Sequence, residues 1–251
     1  MRCACALFRH YVTLTVPGKI KPPFPPLERD IQAIREPLEI LIKAVSLDIV
    51  VIFDGLDRLI SPDKFWAVVH QDLRVLRQLR VAVVATAPVS VLYGKGRFVS
   101  EQFDRVHYIQ TLSPDPEKNG YLKSVLSHRG GDELLGPDEV ELICGSSGGV
   151  LRDLITLARD AGEAAYIEES ERILSKHAHS AIKQLGESYL RGLGPEQLNI
   201  LRRLSKERSF DVASDPNIEL LVTGRVLEYS ATDFRVHPAL WPLISKAEGN
   251  G

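Results

Sequence analysis

Asp54 and Asp57 are the residues whose type and spacing first suggest chemistry. They close the stretch Asp48 to Leu59, where Ile49-Val50-Val51-Ile52-Phe53 runs straight into Asp54-Gly55-Leu56-Asp57. The apolar run is rich in β-branched residues and too short for a typical helix. It reads as a strand buried on both faces, and such strands belong to parallel sheets. An acid at the carboxyl end of such a strand faces the crevice where α/β sheets bind ligands. Asp54 is then placed to hold a magnesium ion through oxygen, and Asp57 to orient a water or a second ligand. A plainer reading stays open on the same pattern: a buried strand whose terminal Asp caps the next turn.

The elements around these acids predict an α/β fold. Ahead of them, Tyr11-Val12-Thr13-Leu14-Thr15-Val16 reads as a strand, and five prolines between Pro17 and Pro26 read as an extended loop. Ile31, Ile34, Leu38, Leu41, Ile42 and Val45 recur at helical spacing over roughly 29–46, with Pro37 inside predicting a kink or break. After the acids, Ser61-Pro62 gives an N-cap and a first-turn proline for a helix to about Leu79. Val81 to Thr86 reads as a second buried strand ending in a polar residue, and Val106 to Gln110 as a third. Strand, helix, strand in this order means a parallel sheet.

Beyond Ser113-Pro114-Asp115-Pro116 the pattern turns helical. Helices are expected over about 117–129, 137–144, from Leu151 onward, and over 176–191 with Ser175 as cap. The loop Gly145-Ser146-Ser147-Gly148-Gly149 lacks the spacing of a nucleophile turn and reads as the lead-in to the third of these helices. Gly192-Leu193-Gly194-Pro195 reads as a hinge. A helix through Leu198 to Leu204, a short one at Leu220-Leu221, and a hairpin of 225–229 with 234–237 then predict a winged helix. The expected division is 1–28 (end of a helix, edge strand and Pro-rich loop), 29–114 (sheet core), 115–191 (helical lid) and 192–251 (winged helix and polar tail).

Of 251 residues, 44% are hydrophobic and 25% charged, with a formal net charge of −2. That is an ordinary globular composition without the basic footprint of a nucleic-acid binder. Cys3, Cys5 and Cys144 form neither a disulfide framework nor a zinc-spaced set, which fits a reducing cytoplasm. No apolar run approaches a membrane span, and Met1 to His10 makes a poor signal peptide.

Taken together, this order resembles a P-loop ATPase of the AAA+/STAND type, closest to its origin-recognition-like and NACHT-like regulators. The likeness rests on the strand with Asp54-Gly55-Leu56-Asp57, the second strand ending in Thr86, the lid segment Gly148-Gly149-Val150-Leu151-Arg152-Asp153-Leu154 and the winged helix, and covers roughly 29–244. It implies ATP and Mg2+ as cofactors. Asp54 matches the Walker B acid that holds magnesium through water, and Asp57 the second acid of the STAND version. Gly55 stands where many AAA+ enzymes carry a catalytic Glu. Thr86 matches the sensor of the γ-phosphate, and Arg152 the lid arginine that reaches the phosphates. Arg97 or Arg105 lies where a trans-acting arginine finger would lie, implying a homo-oligomer. Each has a plainer reading: Thr86 capping a strand end, Arg105 a solvated charge, Arg152 pairing with Asp153 or Glu163.

One departure is large. No Gly-x-x-x-x-Gly-Lys-[Ser/Thr] occurs, and Pro17-Gly18-Lys19-Ile20 and Gly94-Lys95-Gly96 lack both its spacing and its hydroxyl. Residues 1–16 read as the end of a helix and the strand that follow a P-loop, so the expectation is a chain that begins after its own P-loop or a degenerate relative. The resemblance then implies that the strands at 81–86 and 106–110 lack the neighbour between them, and that the chain alone hydrolyses little ATP. The competing expectation is a non-catalytic module contacting a regulatory protein or DNA through the winged helix, for which Arg191, Arg202, Arg203, Lys206 and Arg208 supply a local basic cluster.

Overall fold

The computed structural model describes residues 28–44, 49–59, 62–70, 74–79, 81–93, 101–113, 120–130, 133–212 and 214–246. The expected strand at 11–16, the Pro-rich loop, Ser61, Gly94 to Gly96, Arg97 and the tail beyond Lys246 lie outside them.

The chain has an α/β fold with a parallel strand pair at its centre. Helix α1 (Glu28–Ala44) runs through Pro37 without a break. Its Leu38 and Ile42, four residues apart, pack beneath the strands. Strands β1 (Val50–Phe53) and β2 (Ala82–Ala85) pair in parallel, from Val50 opposite Ala82 to Phe53 opposite Ala85. Between them lie α2 (Pro62–Val68), whose helical winding continues through His70, and α3 (Arg74–Gln78), both within the span of the expected helix. Val51, Phe53 and Val83 face a core of Phe65, Trp66, Val69 and Leu76.

Two sequence expectations need correction here. Among the described residues the strands are covered on one face, not two: Val50, Ile52 and Val84 are 42%, 59% and 55% exposed on the other. An apolar run carries no sign of how many layers lie over it, and here the helices gather on one side. Residues 106–110 form no strand. Among the described residues they have no ladder partner, and Ile109 is 90% exposed. β-Branched and aromatic residues satisfy strand propensity, but propensity cannot supply the neighbouring edge.

The helical region holds α4 (Gly120–Gly130), α5 (Pro137–Ser146), α6 (Leu151–Ile167) and α7 (Ser175–Leu190). Leu154, Leu157, Ala161 and Ala165 make one stripe of α6 and meet Ala178 and Ala181 of α7; small residues let the two axes approach closely. Ser175 is the first residue of α7 rather than its cap. Its hydroxyl donates to Glu139 Oε1 at 2.6 Å, and His177 Nδ1 accepts the Leu174 N–H at 3.0 Å instead.

The C-terminal region follows the expected order, α8 (Pro195–Glu207), α9 (Asp215–Val222), β3 (Val226–Ser230) and β4 (Asp233–Val236), and adds a helix the sequence did not announce, α10 (Trp241–Lys246). The two strands form an antiparallel hairpin over Leu201, Leu204, Leu220, Leu240 and Ile244. A buried polar group ties this region to α6. Asp153 Oδ2 accepts from the Tyr189 hydroxyl at 2.7 Å and from His237 Nε2 at 3.1 Å. The Ala239 N–H donates to His237 Nδ1 at 3.2 Å, which leaves the ring proton on Nε2, where Asp153 takes it.

Candidate functional site

Because β1 and β2 are parallel and in register, their carboxyl ends meet. Phe53 lies opposite Ala85, so Asp54 and Thr86 follow at the same margin. The Thr86 N–H donates to the Phe53 carbonyl at 3.0 Å, extending the ladder by one bond. Gly55 then turns the chain with a left-handed φ of 85° into a short 3-10 turn, Leu56–Arg58. Only glycine takes that conformation without strain, so a catalytic Glu at this position would be strained.

The turn aims two N–H groups at one hydroxyl. Thr86 Oγ1 accepts from Leu56 N at 3.1 Å and from Asp57 N at 3.4 Å. The hydroxyl itself lies 3.3 Å from Asp57 Oδ1 and 3.5 Å from the Phe53 carbonyl, both acceptors for its proton. Thr86 therefore caps the turn and also holds the Asp57 carboxylate. Asp54 stands exposed on the same turn, directly after the residue whose carbonyl Thr86 engages.

Beside this turn opens a cavity of about 1090 Å³. One wall runs from Val81 along β2 to Leu92, and the other is residues 103–109. Leu221 and Val222 of α9 complete the lining. Asp57, Thr86 and Arg105 all face into it, so three of the sequence candidates share one space. Arg77 lines it too, with Nη1 donating to Gln102 Oε1 at 3.3 Å and its guanidinium 5.6 Å from the centre of the Phe103 ring. Asp54 and Arg152 are outside the lining. Arg152 is exposed at the start of α6, where its positive charge acts on the Tyr189 hydroxyl.

The donor set fits magnesium. The Asp57 carboxylate and the Thr86 hydroxyl, 3.3 Å apart across the strand ends, are hard oxygen donors, and Mg2+ commonly takes one or two carboxylates and completes its shell with water and phosphate oxygens. Among the described residues no three or more His, Cys, Asp or Glu gather to hold a metal by themselves. The phosphate side fits less well. Arg77 and Arg105 line the cavity, but the sequence contains no glycine-rich run with its lysine to cradle a triphosphate.

Glu228 went unnoticed in the sequence. It lies in β3 at 5% exposure, and its Oε2 accepts the hydroxyls of both Tyr93 and Tyr108, the latter at 2.5 Å. Burial and then the Glu228 carboxylate hold both phenols well above their ordinary range. The partners lie 135 and 120 positions away, beyond any local pattern.

No family model matches the chain, and no curated protein matches it. Among solved structures it is similar to the RuvB Holliday junction branch migration motor of Thermotoga maritima, at 14% identity and a TM-score of 0.45, over 84% of this chain and 74% of that one. It is also similar to the ORC2 protein of Aeropyrum pernix in its ADPNP-ADP complexes, at 15% identity and a TM-score of 0.45, over 87% of this chain and 71% of that one.

Proposed function

We propose that the chain is a nucleotide-dependent switch of the AAA+/STAND type, with ATP and Mg2+ as its ligands. The observation that carries this reading is the meeting of Asp57 and Thr86 at the shared carboxyl end of two parallel strands, on the wall of a cavity that Arg105 also lines. In this reading Asp54 holds the metal through water, and Asp57 orients a further water or ligand. Thr86 senses the terminal phosphate by exchanging its bond to Asp57 for one to the ligand. Arg105 offsets phosphate charge, and Arg152 reaches the site when the helical region closes. Magnesium, when bound, supplies charge neutralisation at the phosphates. The chain's own residues bind, orient and report.

A titration with a fluorescent ATP analogue, with and without Mg2+, tests the proposal. Binding that needs magnesium, and that weakens at least tenfold in Asp54→Asn and Arg105→Ala, is expected. Binding indifferent to magnesium and to Asp54→Asn would sink it. Turnover is expected to be negligible, because the sequence lacks the P-loop lysine that spans the transferring phosphates.

A second reading is supported by the C-terminal order α8, α9, β3, β4, which is compatible with a winged helix. Arg203 and Arg208 are exposed on and just beyond α8, so a regulatory protein or DNA is the partner this surface would take. A salt series separates the two: DNA affinity falls steeply with salt. The setting proposed is the cytoplasm, with assembly into a homo-oligomer. Among the described residues no helix is long and apolar enough to cross a membrane.

A further inference from the structure

We propose that Glu228 is a positioning residue that fixes the spread of the cavity's two walls and couples their state to the C-terminal hairpin. This rests on the reading of the cavity as the nucleotide site. The two walls are separate pieces of chain, and each carries a tyrosine at or next to its end. The wall formed by β2 and the residues after it leads through Leu92 to Tyr93, while the wall of 103–109 contains Tyr108. Both hydroxyls donate to the same carboxylate oxygen of Glu228, which is buried in β3. Glu228 thus pins one wall to the other and both to the hairpin.

The backbone repeats the attachment. The Thr111 N–H donates to the Glu228 carbonyl at 3.2 Å. From Tyr108 in the wall to Thr111 on the hairpin is three residues, at most about 11 Å of fully extended chain. Just beyond, the Leu112 carbonyl lies so close to Gly149 that a Cβ there would stand 1.8 Å from its oxygen. The segment from 108 to 112 therefore has little slack. A ligand that moves Arg105 or Tyr108 must move the hairpin, or break hydrogen bonds to a buried carboxylate.

Such a coupling is reciprocal: whatever the ligand does to the hairpin, loosening the hairpin does to the ligand. Two measurements on the full chain test it. The first is titration with the fluorescent ATP analogue and magnesium in wild type, Tyr108→Phe and Glu228→Gln. The second is hydrogen exchange at residues 226–236 with and without ATP and magnesium. The wild type is expected to change its hairpin exchange on binding. Tyr108→Phe, which removes one hydroxyl at a partly exposed position, is expected to bind about tenfold more weakly and to lose that change while remaining folded by urea titration. A structural role alone would alter stability and leave the ligand-induced change in place.

If the wild type and Tyr108→Phe bind ATP alike, and hairpin exchange ignores the ligand, the coupling is overturned and the nucleotide site stands. If the wild type binds no ATP, the site falls, and the coupling falls with it. Should Glu228→Gln fail to fold, Tyr108→Phe and Tyr93→Phe carry the test alone.

Discussion

Thr86 Oγ1 stands 3.3 Å from Asp57 Oδ1, 29 positions away, across the carboxyl ends of two strands. That hydroxyl also collects the N–H groups of Leu56 and Asp57. One side chain therefore ties the acidic turn to the neighbouring strand.

Replacing Thr86 by Val keeps the branched shape and removes the acceptor. Stability should fall by about 1–2 kcal/mol, as two half-covered N–H groups lose their partner. Binding of the ATP analogue with magnesium should fall with it. Thr86→Ser should recover most of both. Urea unfolding and the binding titration read the two effects separately, and an unchanged midpoint in Thr86→Val would contradict the geometry.

Gly55 and Gly149 both carry positive φ, 85° and 84°, yet differ in what surrounds them. A Cβ at Gly55 meets nothing within 4 Å, whereas one at Gly149 meets the Leu112 carbonyl at 1.8 Å. Gly55→Ala should cost about 1–2 kcal/mol, the left-handed backbone penalty alone. Gly149→Ala should cost clearly more, because α6 and the 108–112 segment must separate. Equal losses in the two variants would show that the approach of Leu112 to Gly149 is wrong.

Four tyrosines should give the fold an alkaline limit. Burial pushes the Tyr229 hydroxyl up to about 12, and burial followed by the Asp153 or Glu228 carboxylate pushes Tyr189, Tyr93 and Tyr108 higher still. An unfolded tyrosine ionises near 10. The folded chain then keeps protons that the unfolded chain releases. The stabilisation is complete below about pH 10 and is lost as pH rises from there through the folded values. The urea midpoint should be level at neutral pH and fall above about pH 10. Tyr189→Phe, destabilised at every pH, should fall less steeply.

The strand pair should be the weaker part of the molecule. β1 and β2 are covered on one face, with Ile52 and Val84 more than half exposed, while Leu154, Leu157, Ala161 and Ala178 are wholly buried where α6 meets α7. Amides that open through local unfolding exchange according to the stability of their unit. Hydrogen exchange at 50–53 and 82–85 should run at least tenfold faster than at 154–165. Comparable protection in both would mean that the bare face is covered in solution.

Much of this chain was legible without coordinates, for reasons that differ by element. The stripe Leu154, Leu157, Ala161, Ala165 repeats at helical spacing, and periodicity in one segment survives any tertiary arrangement. The turn at Asp54-Gly55-Leu56-Asp57 was readable because a short apolar run must end where polar residues begin. The hairpin at 226–236 came from two β-rich runs about a short turn. Residues 106–110 misled, since their β-branched and aromatic composition suits a strand while no described edge pairs with them.

By itself, then, the amino-acid order determined the local elements, their sequence along the chain, and Asp54, Asp57 and Thr86 as residues at strand ends. Those properties depend on spacing within a few positions. The tertiary structure alone decided that Arg105 joins Asp57 and Thr86 in one cavity while Arg152 stays apart, that a single face of the strands is covered, and that Tyr93 and Tyr108 converge on Glu228. Each of those depends on which distant segments meet, and contacts across more than a hundred residues leave no trace in local spacing.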